Sequence, residues 1–402
     1  MSKPLPYGDF KWVDPNSIGD ICQIPPEGDV GYIMECDFQY PETLHDYHYD
    51  LPLLPENKIP PGGKYKKLMT TVENKTRYVA HFWTVQQAIQ LGLRLTKVHR
   101  VLQFSQSCWL KPYIDSNTAR RSAATSEFEK GFFKLMNNSI FGKSLQNNRK
   151  HKDVRLVTNE KQCLKLVRKP NFQTSIIINN NLVAISMKKT VVKMDKPLYV
   201  GFSILDISKT HMHDFHYNKM VAYYGRDHID LCYTDTDSLT YKIMTQDMYE
   251  DLRSFPYKDD FDFSDYPRDH PTYDNGKNKK VLGKFKDELN SVPLEEHVAL
   301  MSKMYAIKIL SSTEEDNVLK KAKGVKSQYV KNNLKFEHYK RCLFNNETFT
   351  ASFNTIRSFN HKLYSLTETK KSLSCCDNKR VTLRDGINTL PYGHYSLNNI
   401  DE

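Results

Sequence analysis

The 402-residue sequence lacks the features that mark secreted, membrane-spanning and zinc-cluster proteins. No apolar run approaches the ~20 residues that a membrane-spanning helix needs. Residues 1–10 have no charged-then-apolar leader pattern, so we expect neither membrane insertion nor secretion. The eight cysteines form no C-x-x-C pair, which indicates neither a zinc site nor a disulfide framework. Because thiols stay reduced inside cells, we expect an intracellular protein.

Positive charge, by contrast, is present in excess and is unevenly placed. The formal net charge is +11. Residues 120–169 hold 13 Lys and Arg against 4 Asp and Glu, and residues 303–341 hold 10 against 4. Such tracts are typical of a chain that binds a polyanion, although a solvated surface is the alternative for either tract alone. The length predicts two to three domains.

Alternating apolar residues flank the run Tyr233-Thr234-Asp235-Thr236-Asp237-Ser238 on both sides. A period of two predicts two half-buried strands joined by a tight turn. The turn holds Asp235 and Asp237 one residue apart, and carboxylate oxygens are hard ligands suited to Mg²⁺. Asp, Thr and Ser also favour turns for hydrogen-bonding reasons of their own. On this spacing alone, an ordinary hairpin and a metal site are equally open.

The segment from Ser126 to Leu145 predicts the clearest helix in the chain. Ser126 can cap it, and the two glutamates of the first turn suit the helix dipole. At roughly 100° per residue, the side chains fall on two faces. We expect one face to be core, and it carries Phe128, Phe132, Leu135 and Met136. The opposite face carries Lys130, Lys134, Asn138 and Phe141. A solvated lysine face is the alternative, but a weak helix former and an aromatic ring there favour binding.

The remaining patterns predict elements along the rest of the chain. They are a loop over residues 1–30, a strand over 30–40, a helix over 78–92, a strand over 93–104, a hairpin turning at 179–181, a helix around 212–220, strands over 281–286 and 302–310, a helix over 336–344 and a basic strand-and-turn segment over 362–384. We find no internal repeat.

Three separated segments resemble motifs of the family B DNA polymerases. Tyr233 to Ser238 is similar to motif C, Y-x-D-T-D-S, and Lys134 to Gly142 is similar to motif B, K-x-x-x-N-S-x-Y-G. Lys303-Met304-Tyr305 is similar to the K-x-Y motif of the protein-primed branch. Their order and spacing agree with that family. Residues 109–114 and 199–215 are further similar to the polymerases of large virus-like DNA transposons, of Polinton or Maverick type, and of their viral relatives.

The resemblance covers essentially the whole chain and implies an α+β fold of the polymerase right-hand type. That fold has a palm with an antiparallel sheet, helical fingers and a small thumb. The implied domains are the N-terminal part of the palm with an inserted loop region over 1–105, fingers over 106–148, palm over 149–300 with an insertion at about 149–196, and thumb and C-terminal tail over 301–402. The implied location is the nucleus, the cytoplasm or a virus-like particle.

The resemblance also implies the reaction, the cofactor and the partners. In such enzymes a primer 3′-hydroxyl attacks a dNTP with the help of two Mg²⁺ ions. The implied partners are primer-template DNA, dNTPs and, in protein-primed members, a terminal protein. The implied catalytic residues are Asp237, Asp235 and Lys134, with both carboxylates as metal ligands. The implied nucleotide-binding residues are Lys130, Lys134, Asn138, Phe141 and Arg121. The implied DNA-binding residues are Tyr233, Thr236, Lys303, Tyr305, Lys323 and Lys326.

The sequence departs from the family pattern at three places. Phe141 stands where the family has a tyrosine, so stacking is kept and the hydroxyl is lost. No D-x-x-S-L-Y-P run, the family's motif A, occurs in the chain. Asp37 to Pro41 spaces its tyrosine differently, and we interpret it as an ordinary strand end. The exonuclease motifs are missing as well. We therefore expect the C-terminal portion of a polymerase, one that binds primer-template DNA and polymerises poorly or not at all.

Three other functions compete with this interpretation. A catalytically inactive DNA-binding remnant would share the fold. A metal-dependent nuclease could use Asp235 and Asp237, but it leaves the lysine face of the helix unexplained. A reverse transcriptase or RNA-dependent polymerase would place two adjacent aspartates in the hairpin, whereas Thr236 separates them here.

Overall fold

The structure is a computed structural model that describes residues 1–310, 317–359, 362–375 and 377–399, and it is a mixed α/β fold with mostly antiparallel sheets. The strands are β1 Leu5–Val13, β2 Val30–Gln39, β3 Glu56–Lys58, β4 Lys67–Met69, β5 Lys75–His81, β6 Arg94–Ser107, β7 Asp153–Val157, β8 Phe172–Asn179, β9 Leu182–Met187, β10 Ile229–Thr234, β11 Leu239–Ile243, β12 Phe261–Asp262, β13 Phe285–Lys286, β14 Leu294–Met301, β15 Met304–Ile309, β16 Val318–Ala322, β17 Phe349–Phe359, β18 Lys362–Leu373, β19 Val381–Thr382 and β20 Thr389–Leu390. The α-helices are α1 His45–His48, α2 Phe82–Gln90, α3 Lys111–Ala123, α4 Glu127–Ser144, α5 Glu160–Val167, α6 Leu198–Asp214, α7 Ala222–Tyr224, α8 Met248–Ser254, α9 Ser327–Asn333 and α10 Phe336–Asn345.

An antiparallel sheet in the order β1-β6-β2-β5 forms one side of the largest hydrophobic core. The strand predicted over residues 30–40 is confirmed as β2, and its side chains Met34, Cys36 and Phe38 are fully buried. The strand predicted over 93–104 is confirmed as β6. Leu231 of β10 belongs to the same core, so the sheet supports the hairpin that carries the two aspartates.

The loop expected over residues 1–30 is wrong at its start, because Leu5–Val13 forms β1. This edge strand pairs antiparallel with β6. Beyond residues 5 and 6 its side chains are exposed or half-buried, and Trp12 is 67% exposed. The backbone ladder rather than an alternating buried face holds the strand in place, and a ladder leaves no period-two signal in the sequence.

The helix expected over residues 78–92 is confirmed only from Phe82 to Gln90. The preceding residues belong to β5, which pairs with β2. His81 marks the change, since its ring accepts a hydrogen bond from the Trp83 amide at 3.4 Å at the start of α2. The helix stops before Gly92, whose φ of +98° lies in the region that favours glycine.

The helix predicted over residues 126–145 is confirmed as α4. The Ser126 hydroxyl accepts a hydrogen bond from the Glu129 amide at 3.1 Å, which is the cap that the sequence predicts. The expected core face is wrong, because Phe128 is 82%, Phe132 47% and Leu135 63% exposed. The helix packs instead against α3 and α6, with Ile140 and half-buried Phe141 in the contact. The apolar side chains of α4 that join this contact therefore belong to its C-terminal half.

The segment between residues 149 and 196, which the resemblance implies to be an insertion, forms a small sheet with a core of its own. It is an antiparallel sheet in the order β7-β9-β8, with α5 packed on it. Val157, Leu166, Ile185 and Met187 form its core. The hairpin predicted to turn at residues 179–181 is confirmed as β8 and β9.

The helix expected around residues 212–220 is longer than predicted, since α6 begins at Leu198. It continues through a π-helical segment, Phe215–Val221, into α7. The alternating apolar residues 198–205 resemble a strand start, but they lie on a helix whose Val200, Ile204 and Ile207 are buried. The π-helical segment aims His216 and Tyr217 into the core below β10 and β11.

The C-terminal third contains a sheet, two helices and a long hairpin. The sheet has the order β14-β15-β16, and α9 and α10 pack on it. The strand predicted over residues 302–310 is confirmed as β15 and the helix over 336–344 as α10, whereas the strand over 281–286 is reduced to β13. Strands β17 and β18 form the hairpin. Residues 311–316 of the basic tract and Cys376 of the segment 362–384 lie outside the described residues.

The last described residues fold back onto the first hundred. The Val72 amide donates to the Tyr392 carbonyl at 3.0 Å, and Arg380 donates to the Tyr49 carbonyl at 2.8 Å. Within the ranges that the structure describes, no helix is both long and apolar enough to cross a membrane.

Candidate functional site

The two aspartates lie in a tight turn between β10 and β11, as the sequence predicts. Thr234 pairs with Leu239, so four residues form the loop. The Asp235 amide donates to the Ser238 carbonyl at 3.1 Å and the Asp237 amide to the Asp235 carbonyl at 2.6 Å. Thr236 has a φ of +60°. A β-branched residue in this left-handed region costs about 1–3 kcal/mol, and such strain clusters at functional sites. The backbone strain favours a site over an ordinary turn.

The carboxylates in this turn differ in their surroundings. The Asp235 side chain is 26% exposed and lies 3.1 Å from the Lys303 ammonium, measured from Oδ2 to Nζ. Asp237 is exposed. The hydrogen bond to Asp235, followed by its charge, raises the pKa of Lys303. The ammonium therefore stays charged beside the turn and neutralises one of its two carboxylates.

The K-x-Y segment lies directly against the hairpin, although about seventy residues of sequence separate the two. Lys303 lies in the tight turn between β14 and β15, with a φ of +62°. Its amide donates to the Tyr233 hydroxyl at 2.7 Å. The rings of Tyr233 and Tyr305 have centroids 5.0 Å apart, and His297 lies 5.9 Å from Tyr233. Burial raises the pKa of both tyrosines, so their hydroxyls stay protonated.

A buried ionic cluster that sequence reasoning missed holds the base of β10. The Asp50 carboxylate, 2% exposed, lies 2.7 Å from the Arg226 guanidinium. It accepts hydrogen bonds from the Leu231 amide at 3.0 Å and from His216 at 3.3 Å. Burial alone would raise the pKa of Asp50, but the hydrogen bonds and charges of His216 and Arg226 outweigh it and lower this pKa to about 2. Asp50 therefore stays ionised and fixes the strand that leads to the turn.

No sequence signal could have found this cluster. Asp50, His216 and Arg226 are separated along the chain and belong to no motif. They meet because the loop that follows α1 crosses under the π-helical segment.

The residues implied to bind nucleotide lie on α3 and α4. Lys134 and Asn138 are exposed, and Arg121 is exposed near the end of α3. Lys130 forms an ion pair with Glu127 at 2.7 Å, which a ligand would have to displace. Phe141 is half-buried in the cluster that joins α4 to α6, so packing accounts for part of its role. The structure gives no direct contact between these side chains and the aspartate turn.

The residues implied to bind duplex DNA follow β16. Lys323 and Lys326 are exposed and flank Gly324, whose φ is +81°. Lys326 donates to the Asn354 carbonyl of the β17–β18 hairpin, and its ammonium lies 5.6 Å from the centre of the Phe353 ring. Lys370 of the same hairpin lies 5.1 Å from that ring. Two ammonium groups, those of Lys326 and Lys370, therefore lie beside the Phe353 ring of the hairpin.

The aspartate turn does not supply a complete site for two metal ions. Mg²⁺ is commonly held by one or two carboxylates together with waters and substrate phosphates, so Asp235 and Asp237 fit part of one shell. In the described part of the chain, no group of three or more His, Cys, Asp or Glu side chains could hold a metal ion. Asp37 does not supplement the pair, because its carboxylate accepts from the Arg77 amide at 2.7 Å and pairs with His99 at 2.8 Å in the central sheet.

The fold as a whole is similar to that of phi29 DNA polymerase. The chain aligns with that enzyme in a complex with primer-template DNA and incoming nucleotide substrates, with a TM-score of 0.56 and 16% sequence identity, over 92% of this chain and 55% of that chain. The same coverage and identity hold for the complex with primer-template DNA, at a TM-score of 0.53, and for the complex with single-stranded DNA, at 0.51. No protein-family model and no curated protein matches the sequence. The chain thus spans about half the length of the proteins whose fold it shares.

Proposed function

We propose that this chain is a DNA-directed DNA polymerase of family B, or the larger part of its polymerising half. One observation carries the proposal. In a fold like that of phi29 DNA polymerase, the turn bearing Asp235 and Asp237 is joined by Tyr233 to the Lys303–Tyr305 segment. The sequence resemblance names these two segments independently of each other, and the structure puts them in contact.

In this proposal the elements divide as in a right hand. The β10–β11 hairpin is part of the palm, α3 and α4 are the fingers, and the β17–β18 hairpin with its neighbouring helices is the thumb. Asp237 and Asp235 hold metal, and Lys134, with Lys130, Arg121, Asn138 and Phe141, binds the incoming nucleotide. Tyr233, Thr236, Lys303 and Tyr305 meet the primer strand, and Lys323 and Lys326 meet duplex phosphates. The protein-primed, Polinton-like branch and an intracellular location are parts of the same proposal.

Metal binding is the incomplete part of the proposed site. The family's two Mg²⁺ ions neutralise charge on the reacting phosphates. Asp237 and Asp235 are the ligands that this chain offers, and a further carboxylate of the motif A kind is absent from its 402 residues. We therefore propose that the chain is a fragment of a longer polymerase. The share of the phi29 enzyme that it spans is consistent with this.

The second candidate is a catalytically inactive DNA-binding remnant with the same fold. The Lys303 ammonium favours it, because it already neutralises Asp235 and so competes with a metal ion for that carboxylate. Both candidates bind primer-template DNA, and they differ in whether the chain extends the primer once the missing carboxylate is supplied.

DNA binding by either candidate should depend on Lys323 and Lys326. With both lysines changed to glutamine, the slope of log K against log salt should become shallower by about 2, because each lost phosphate contact removes about 0.9 from the slope for duplex DNA. Fluorescence anisotropy of a labelled primer-template at several salt concentrations measures it. The matched control is Lys64→Gln with Lys66→Gln, two exposed lysines of the loop between β3 and β4. If the two double variants have the same slope of log K against log salt, Lys323 and Lys326 do not contact the DNA.

A further inference from the structure

A cationic cavity of about 300 Å³ lies outside the residues assigned above, where the insertion β7–β9–β8 joins the rest of the chain. The segment entering the insertion contributes Lys143, in the last turn of α4, and Gln146. The segment leaving it contributes Lys189, Lys193 and Lys196. Four ammonium groups thus converge on a space large enough for a phosphate and its neighbouring groups.

The two segments are tied together, so the cavity has a fixed frame. The Asn148 side-chain amide donates to the Lys193 carbonyl at 2.8 Å and to the Asp195 carboxylate at 2.9 Å. This hydrogen bond, with the Lys196 charge 3.5 Å away, lowers the pKa of Asp195, so the carboxylate stays ionised and is neutralised by Lys196. Of the four lysines at the cavity, Lys196 is the one that pairs with Asp195.

The other three ammonium groups face the cavity without counter-ions. Across the residues that the structure describes, Lys143, Lys189 and Lys193 form no ion pair. Like charges held together repel one another, and an anion bound between them relieves that repulsion. The arrangement therefore favours a ligand with more than one negative oxygen.

The side chain of Gln146 adds an uncharged polar group that needs a hydrogen-bond partner at the cavity. Its amide nitrogen lies 2.7 Å from His151 Nε2, and its amide oxygen is buried without a hydrogen-bond partner in the described residues. If the amide is turned over, the nitrogen is left without a partner instead, since only one of its two polar atoms can meet His151. Either orientation leaves a buried polar atom at the cavity without a hydrogen bond, which is unfavourable until a ligand or water supplies one.

We propose that this cavity is a phosphate-binding site, with Lys143, Lys189 and Lys193 on the phosphate oxygens and Gln146 on a neighbouring polar group. The phosphate belongs to a single-stranded nucleic acid or to a free polyphosphate, and the two sources share the same chemistry. The nucleic-acid source rests on the proposed function, whereas the phosphate site itself does not.

The test compares two triple variants of the full chain. Lys143→Gln, Lys189→Gln and Lys193→Gln together remove the unpaired charges of the cavity. Lys11→Gln, Lys64→Gln and Lys66→Gln remove equal charge from exposed positions elsewhere. The probes are a fluorescent single-stranded oligonucleotide, read by anisotropy over a range of salt concentrations, and inorganic tripolyphosphate, read by calorimetry. Because all six lysines are exposed, both variants should keep the thermal unfolding midpoint of the parent.

If a nucleic-acid strand supplies the phosphate, the cavity variant should lose about 2 from the salt slope of oligonucleotide binding relative to the control variant, because each phosphate contact to a single strand contributes about 0.7. If a free polyphosphate supplies it, tripolyphosphate binding should be lost in the cavity variant alone. Gln146→Ala should weaken binding of the same probe without changing its salt slope. If the two triple variants have the same salt slope for the oligonucleotide and bind tripolyphosphate equally well, the proposed phosphate site is wrong. That outcome would leave the proposed function standing if the Lys323 and Lys326 variant still loses duplex affinity.

Discussion

Asp237→Asn should lower primer extension by about a thousandfold in a longer version of the protein that also carries a D-x-x-S-L-Y-P segment. Metal-ion stabilisation of the reacting phosphates is worth several kcal/mol, and each 1.36 kcal/mol is tenfold in rate. Asparagine keeps the size of the side chain and removes the charge that holds a metal ion in the proposed mechanism. Extension of a labelled primer on a single-stranded template, with Mg²⁺ and then with Mn²⁺, measures the effect.

The matched control is Asp269→Asn, an exposed residue without a hydrogen bond or ion pair in the part of the chain that the structure describes, and it should extend primers like the parent. Survival of extension in the Asp237 variant would show that the metal assignment is wrong. The chain of 402 residues on its own should extend primers poorly or not at all. Robust extension by that chain would overturn the proposal that a carboxylate is missing. Inactivity of the extended version, despite DNA binding, would instead favour the inactive remnant.

Asp50→Ala should lower the free energy of unfolding by about 3–5 kcal/mol, the usual cost of removing one partner from a buried ion pair. The change leaves His216, fully buried, without its carboxylate, and it leaves Arg226, 15% exposed, with the Asp230 carboxylate at 3.5 Å. It also leaves the Leu231 amide without its acceptor. Urea denaturation followed by circular dichroism measures the loss. The matched control is Asp227→Ala, an exposed residue close to the same strand, which should change stability by about 0.5 kcal/mol or less.

The same carboxylate predicts a pH dependence. The folded pKa of Asp50 is lowered to about 2, from about 3.9 in an unfolded chain. A lowered carboxyl pKa contributes stability that is fully present above the unfolded value and is lost as the pH falls through the folded value. The stability difference between the parent and Asp50→Asn should therefore be constant above pH of about 5 and narrow as the pH falls from about 4 towards 2. If the stability difference between the parent and Asp50→Asn stays the same from pH of about 4 to about 2, the ionised Asp50 carboxylate is not what stabilises β10.

Local signals in the sequence were enough to predict the elements that hold the site. The alternation around residues 233–238 predicted the hairpin, and Ser126 with its acidic first turn predicted the start of α4. Both rest on interactions within a few residues, namely a two-stranded ladder and a helix cap. The predicted ends of helices and strands were wrong where pairing with a distant segment of the chain determined them. Tyr78 has helical spacing with its neighbours, but it pairs with β2 and is therefore extended.

Burial was less predictable than secondary structure. The apolar stripe of Phe128, Phe132 and Leu135 has the spacing of a core face, yet the structure leaves it exposed. Spacing shows which residues share a face, whereas whether something covers that face depends on the rest of the fold. β1 shows the reverse, because this edge strand is held by its backbone ladder while most of its side chains stay exposed or half-buried.

The candidate site was predictable to the extent that its residues belong to motifs. Asp235, Asp237, Lys303 and Tyr305 were named from motifs, and the structure brings them together through the hydroxyl and ring of Tyr233. The Asp50 cluster and the cavity beside Gln146 were not predictable, because each assembles from segments that are far apart in sequence and match no pattern.

The central claim is that the Asp235–Asp237 turn lies at the 3′ end of a bound primer, and photocrosslinking tests it most directly. The photoreactive residue p-benzoylphenylalanine replaces Tyr305, whose ring lies 5.0 Å from that of Tyr233 beside the turn. The matched control carries it in place of Tyr65, which is 81% exposed in the loop between β3 and β4. On a primer-template, irradiation of the Tyr305 variant should crosslink the terminal nucleotides of the primer strand, and the control should not. Binding of the primer-template with crosslinks spread along the duplex, or confined to the template strand, would contradict the account.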